Sequence, residues 1–93
     1  MINFPIAKIN IGLNITARRP DGYHNLETVF YPVGWNDILE VVTDDSKHSG
    51  VTFMSTGIPI PGAIEENLCV RAYNLVSEAY PMKAVKVHLH KMI

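Results

Sequence analysis

Residues 7–30, AKINIGLNITARRPDGYHNLETVF, constrain the fold more than any other stretch of this chain. Their first half alternates with a period of two. Ala7, Ile9, Ile11, Leu13 and Ile15 point one way, and Lys8, Asn10, Gly12, Asn14 and Thr16 the other, the signature of a strand with one face on a core and one face free. The free face carries an ammonium, two carboxamides and a gap without a side chain, with same-face neighbours roughly 6–7 Å apart. Asparagine is disfavoured in strands, so this face is either the floor of a polar site or an edge turned to water. Arg18-Arg19-Pro20-Asp21-Gly22 then forms a turn: Pro20 fixes φ, Asp21 can bond nearby backbone, and Gly22 accepts φ > 0. Tyr23 and His24 follow directly, ahead of an alternating run to Phe30. At the mouth of a hairpin they either stack on a flat ring and hydrogen-bond its edge, or cap the hairpin and face solvent.

Beyond the hairpin, Pro32 cannot donate to a ladder, which predicts that the second strand ends or kinks there. Trp35, with no charged neighbours, reads as a core or interface anchor. Residues 37–43 alternate as a third strand, and 44–50 read as a solvated hairpin tip. The adjacent carboxylates of Asp44 and Asp45 point apart and make no metal site. Residues 51–55 form a fourth strand, and 57–62 an irregular loop rich in proline and glycine. Asn67 caps a helix whose Leu68, Ala72, Leu75, Val76 and Ala79 form one apolar stripe, stopped by Pro81. Val85, Val87 and Leu89 alternate with Lys86, His88 and His90 in a fifth strand. His88 and His90 share a face but lack a third metal ligand. The order β-β-β-β-α-β predicts an α+β fold with one helix against a sheet.

Eight basic and nine acidic residues leave a net charge of −1, which gives no general attraction to nucleic acid or anionic membranes. The single cysteine, Cys69, cannot form an internal disulfide and is expected as a buried, inert thiol. No apolar run approaches the ~20 residues that cross a bilayer. The opening MINFPIAK lacks a basic-then-apolar leader, so no signal peptide is expected and the cytoplasm is the expected compartment. No repeat, linker or low-complexity segment interrupts the chain.

The block PIAKINIGLNITARRPDGYHNLETVF resembles the N-terminal signature of the 4-diphosphocytidyl-2-C-methyl-D-erythritol kinase family, within the GHMP kinase superfamily. Ala7-Lys8-Ile9-Asn10, Arg19, Asp21-Gly22-Tyr23-His24 and Thr28-Val29-Phe30 fall in register with it, and Glu66-Asn67-Leu68-Cys69-Val70-Arg71-Ala72 resembles the start of a helix in the same family. The resemblance implies that residues 1–93 are part of an N-terminal domain with a ribosomal-protein-S5-domain-2-like fold. It implies an ATP-dependent kinase, with Mg²⁺ at the nucleotide phosphates, that phosphorylates the 2-hydroxyl of the methylerythritol portion of a cytidine diphosphate derivative in isoprenoid precursor synthesis. The family's Gly-rich phosphate loop, its catalytic aspartate and its C-terminal domain have no counterpart in these residues. No cofactor-binding or metal-binding residue is therefore expected within this chain, and these 93 residues alone are expected to be inactive. By the same resemblance Lys8 is the catalytic-site lysine and Asn10 holds the acceptor end of the substrate. Tyr23 stacks on the cytosine, and His24 bonds its edge. The expected partner is that small molecule, with no nucleic acid and no membrane. Two alternatives stand beside this: an S5-like RNA-binding module, which the charge balance argues against, and another GHMP kinase, which would generally lack the Asp-Gly-Tyr-His element.

Overall fold

The computed structural model describes residues 1–93. The chain runs β1 (Ile2–Asn3), β2 (Ile6–Arg18), β3 (His24–Asn36), β4 (Ile38–Thr43), β5 (Val51–Gly57), α1 (Leu68–Ala79) and β6 (Val85–Lys91), with a 3₁₀ turn over Ile64–Glu66 ahead of the helix. The predicted α+β order is present, with β1 added in front. The strands make two sheets, one ordered β1-β4-β6-β5 and one of β2 and β3 alone. Two units result, one of Met1–Pro5 with Asn36–Ile93 and one of Ile6–Trp35.

In the first unit, β1 is too short to show a period. Its register is set by pairing, Ile2 with Glu40 and Asn3 with Leu39, and the Met1 ammonium donates to the Val41 carbonyl at 3.0 Å. β4 lies antiparallel to β6, whereas β5 and β6 are parallel. A parallel pair needs a long crossover, and α1 occupies it.

This topology corrects the hairpin tip expected at 44–50, because β6 lies between β4 and β5. Asp44 is not solvated but 4% exposed. Its carboxylate accepts from Ser46 Oγ at 2.5 Å and Ser46 N at 3.1 Å, and its own N–H donates to Ala84 O at 2.8 Å. The Ser46 hydroxyl, more than any other group, holds the Asp44 carboxyl below its ordinary pKa.

β5 runs past Ser55 to Gly57, which has φ 82° and whose added Cβ would overlap the Lys91 carbonyl. That carbonyl accepts from Ile58 N at 2.9 Å. Only glycine lets β5 end there.

The helix starts as predicted, with Asn67 Oδ1 accepting from Cys69 N at 2.9 Å, and ends two residues before Pro81. Its buried face is not the predicted stripe. Val70 and Tyr73 are buried, while Leu68 and Leu75 are 75% and 70% exposed. Tyr73 fixes the helix rotation, because its hydroxyl donates to Lys83 O at 2.8 Å and accepts from Gly50 N at 3.2 Å. Val70 and Tyr73 are buried together with Ala84 and Val87. Cys69 is partly buried, and desolvation raises its thiol pKa, as an unreactive thiol requires.

The second unit is the β2–β3 ribbon. Pro32 does not end β3, which continues to Asn36. Every second N–H of a strand in a two-stranded ribbon lacks a ladder partner, so a proline can be accommodated. Within the ribbon the alternating apolar residues Ile9, Ile11, Leu13 and Ile15 are 51–64% exposed, and Trp35, read as a core or interface anchor, is 58% exposed and so is not a core residue of this unit. A two-stranded ribbon cannot by itself bury one of its faces.

Candidate functional site

The turn between β2 and β3 is built around Asp21. One carboxylate oxygen accepts from Tyr23 N at 3.0 Å, and the other takes the Arg19 guanidinium at 2.6 Å. Arg19 N donates to Tyr23 O at 2.7 Å, Gly22 N donates to Arg19 O at 3.2 Å, and Gly22 takes φ 89°. Asp21 thus bonds backbone two residues on, as its place in the turn predicts. The backbone of Tyr23 is held from both sides, and its side chain is free: Tyr23 is 72% exposed. His24, also exposed, begins β3. A fixed base under a free aromatic face suits stacking on a flat ligand.

Lys8 stands near the other end of the ribbon. Its ammonium lies over the Phe30 ring, 3.9 Å from the centroid. Asn10 follows on β2 and is exposed. From Lys8 to Arg18 the strand path is about 33 Å at the usual rise. Within it, Gly12 takes φ 67°. A positive φ inside a strand is a conformation that glycine takes readily and other residues rarely do. Thr28 Oγ1 donates to the Gly12 carbonyl at 2.5 Å and anchors the irregularity to β3.

The larger recesses belong to the other unit and are lined by none of these four residues. One, of about 440 Å³, is an apolar groove between α1 and the sheet, walled by Leu39, Val41, Ala72, Val76, Val85 and Val87 among others. Another, of about 460 Å³, opens at the start of α1. Its walls are Leu39, Ile60, Pro61, Leu68 and Leu89, with Glu66, Asn67 and Lys91 supplying polar groups. Apolar walls with a few converging polar atoms describe a small-ligand site. The sequence pattern misses this recess because its residues come from four separate segments. Its floor is fixed by Asp37, whose carboxylate binds Lys91 Nζ at 2.9 Å, Met92 N at 2.7 Å and Ile93 N at 3.0 Å.

On β6, His88 Nε2 and His90 Nδ1 both lie 2.8 Å from Thr56 Oγ1. The two imidazoles therefore share a hydroxyl. No group of three histidine, cysteine, aspartate or glutamate side chains is arranged to hold a metal ion.

No family model matches the chain. Over all 93 residues it is 50% identical to the 4-diphosphocytidyl-2-C-methyl-D-erythritol kinase of Cytophaga hutchinsonii, covering 33% of that protein. It is 52% identical over 94 aligned positions to the kinase of the same name from Bacteroides fragilis, covering 34% of it. Among solved structures it is similar to a crystal structure of 4-(cytidine 5'-diphospho)-2C-methyl-D-erythritol kinase, with TM-score 0.72 and 36% identity over the whole chain and 32% of that protein. The chain spans about a third of the length of these relatives. Over that third it is similar in sequence to all three and in fold to the solved structure.

Proposed function

We propose that these residues form the acceptor-substrate part of an ATP-dependent kinase that phosphorylates the 2-hydroxyl of 4-diphosphocytidyl-2-C-methyl-D-erythritol. The observation that carries this is the match to kinases of that name along the entire chain, in sequence and in backbone. Tyr23, with its backbone pinned by Asp21 and Arg19 and its ring free, stacks on the cytosine, and His24 bonds the edge of the base. Lys8 brings a fixed positive charge to the reacting hydroxyl, where phosphoryl transfer depends on positioning and charge stabilisation. Asn10 orients that end of the substrate. Base and hydroxyl sit at opposite ends of the substrate, and the residues proposed for each lie on the same ribbon of β2 and β3. Holding the remote base then positions the hydroxyl.

The recess at the start of α1 has the size and lining for the base of a nucleotide, with Asn67 and Lys91 as its polar contacts. ATP, when bound, supplies the phosphoryl group. The chain's own contribution there is an apolar slot and a lysine held in place by Asp37.

The test is a chimera in which these 93 residues replace the matching third of the Cytophaga hutchinsonii kinase. It should transfer phosphate from ATP to the cytidine derivative and discriminate against its uridine counterpart. A folded chimera that binds ATP but phosphorylates neither would overturn the proposal.

A further inference from the structure

We infer that Phe30 is a positioning residue for the Lys8 ammonium: its ring face favours one placement of that charge over the others its side chain can reach. This rests on the kinase reading for its purpose, while the contact itself stands on geometry. Lys8 lies near the start of β2 and its side chain has several rotatable bonds, so an unrestrained ammonium sweeps a wide arc. The structure gives it no carboxylate partner; its charge lies over the Phe30 ring at 3.9 Å from the centroid. At that distance the negative face of the ring attracts the cation and sets its direction, with about 0.5–1 kcal/mol at a partly exposed site.

An aromatic ring is better suited to this task than a carboxylate. A carboxylate would neutralise the ammonium and repel the phosphates of a cytidine diphosphate ligand. The ring holds the lysine in place and leaves its charge available. Phe30 is itself tied into the ribbon two residues from Thr28, whose hydroxyl grips the Gly12 carbonyl across the strands. The ring at Phe30 sets where Lys8 points, and it need not touch substrate to do so.

Two measurements test this separately from the kinase reading. In the 93-residue chain, reductive ¹³C-methylation of lysines should give one dimethyl-lysine signal displaced upfield by the ring current, assigned to Lys8 by its loss in Lys8→Arg. It should move to the ordinary lysine position in Phe30→Leu and stay displaced in Phe30→Tyr. Absence of any displaced signal in a chain whose amide spectrum is dispersed would overturn the contact. In the chimeric kinase, Phe30→Leu should lower kcat about two- to five-fold, the loss of one exposed cation–π contact, with KM for the cytidine substrate unchanged and with kcat restored in Phe30→Tyr. An unchanged kcat in Phe30→Leu, in an enzyme that Lys8→Met inactivates, refutes the positioning role and leaves the kinase reading standing. If Lys8→Met is also without effect, the kinase reading fails as well.

Discussion

Asp37 and Lys91 are joined by an ion pair of 2.9 Å that ties the start of β4 to the end of β6, its neighbour in the sheet. Asp37 is 9% exposed, and its other oxygen accepts the amides of Met92 and Ile93. The Lys91 hydrogen bond, the largest influence, outweighs the opposing effect of burial, and with the two amides it holds the carboxyl below its ordinary value of 3.8. A carboxyl with a depressed folded pKa contributes stability that is present above its unfolded pKa and lost as pH falls through the folded one. The thermal midpoint of the chain should therefore drop as pH is lowered from about 4. Asp37→Asn should flatten part of that drop. Asp44, held low by Ser46, accounts for a remaining part. A pH profile identical in the wild type and Asp37→Asn would contradict this.

Gly57 should tolerate no side chain. Its φ of 82° and the overlap of a Cβ with the Lys91 carbonyl act together. Gly50 has φ 102° but open space around it, so it serves as a matched comparison. Gly50→Ala should lose about 1–2 kcal/mol for the backbone conformation alone, and Gly57→Ala clearly more. Urea unfolding midpoints measure both, and equal losses would mean that the Lys91 carbonyl can move aside.

Removing the helix cap should cost about 1 kcal/mol. Asn67 Oδ1 satisfies the Cys69 amide, so Asn67→Ala should lower the urea midpoint by that amount while Asn67→Asp retains it. No difference between the two variants would show that solvent caps the helix equally well.

The local chemistry of this fold is legible in residues that act on their own neighbours. Asp21 and Gly22 announce their turn, Asn67 its cap, and the alternating runs their strands. What is not legible depends on distant partners. β1 exists only because Glu40 and Leu39 accept it. Asp44 is buried because β6 threads between β4 and β5. The helix turns Tyr73 inward, and not Leu75, because Lys83 and Gly50 lie where its hydroxyl can reach them. The same division runs through the candidate site. The residues of the hairpin stand out in sequence, but the ring beneath Lys8 and the recess near Asn67 come from chain segments meeting in space.

Two distant points on one ribbon are proposed to serve the two ends of one substrate, and steady-state kinetics of two variants of the chimeric kinase test this most directly. Lys8→Met should lower kcat at least about a hundredfold, the scale of losing one electrostatic stabiliser, with little change in KM for the cytidine substrate. Tyr23→Ala should weaken that substrate by about 1–3 kcal/mol, the scale of one base stacked on an aromatic ring, and appear chiefly in KM. Folded variants with wild-type kcat and KM would mean that neither end of the ribbon meets the substrate.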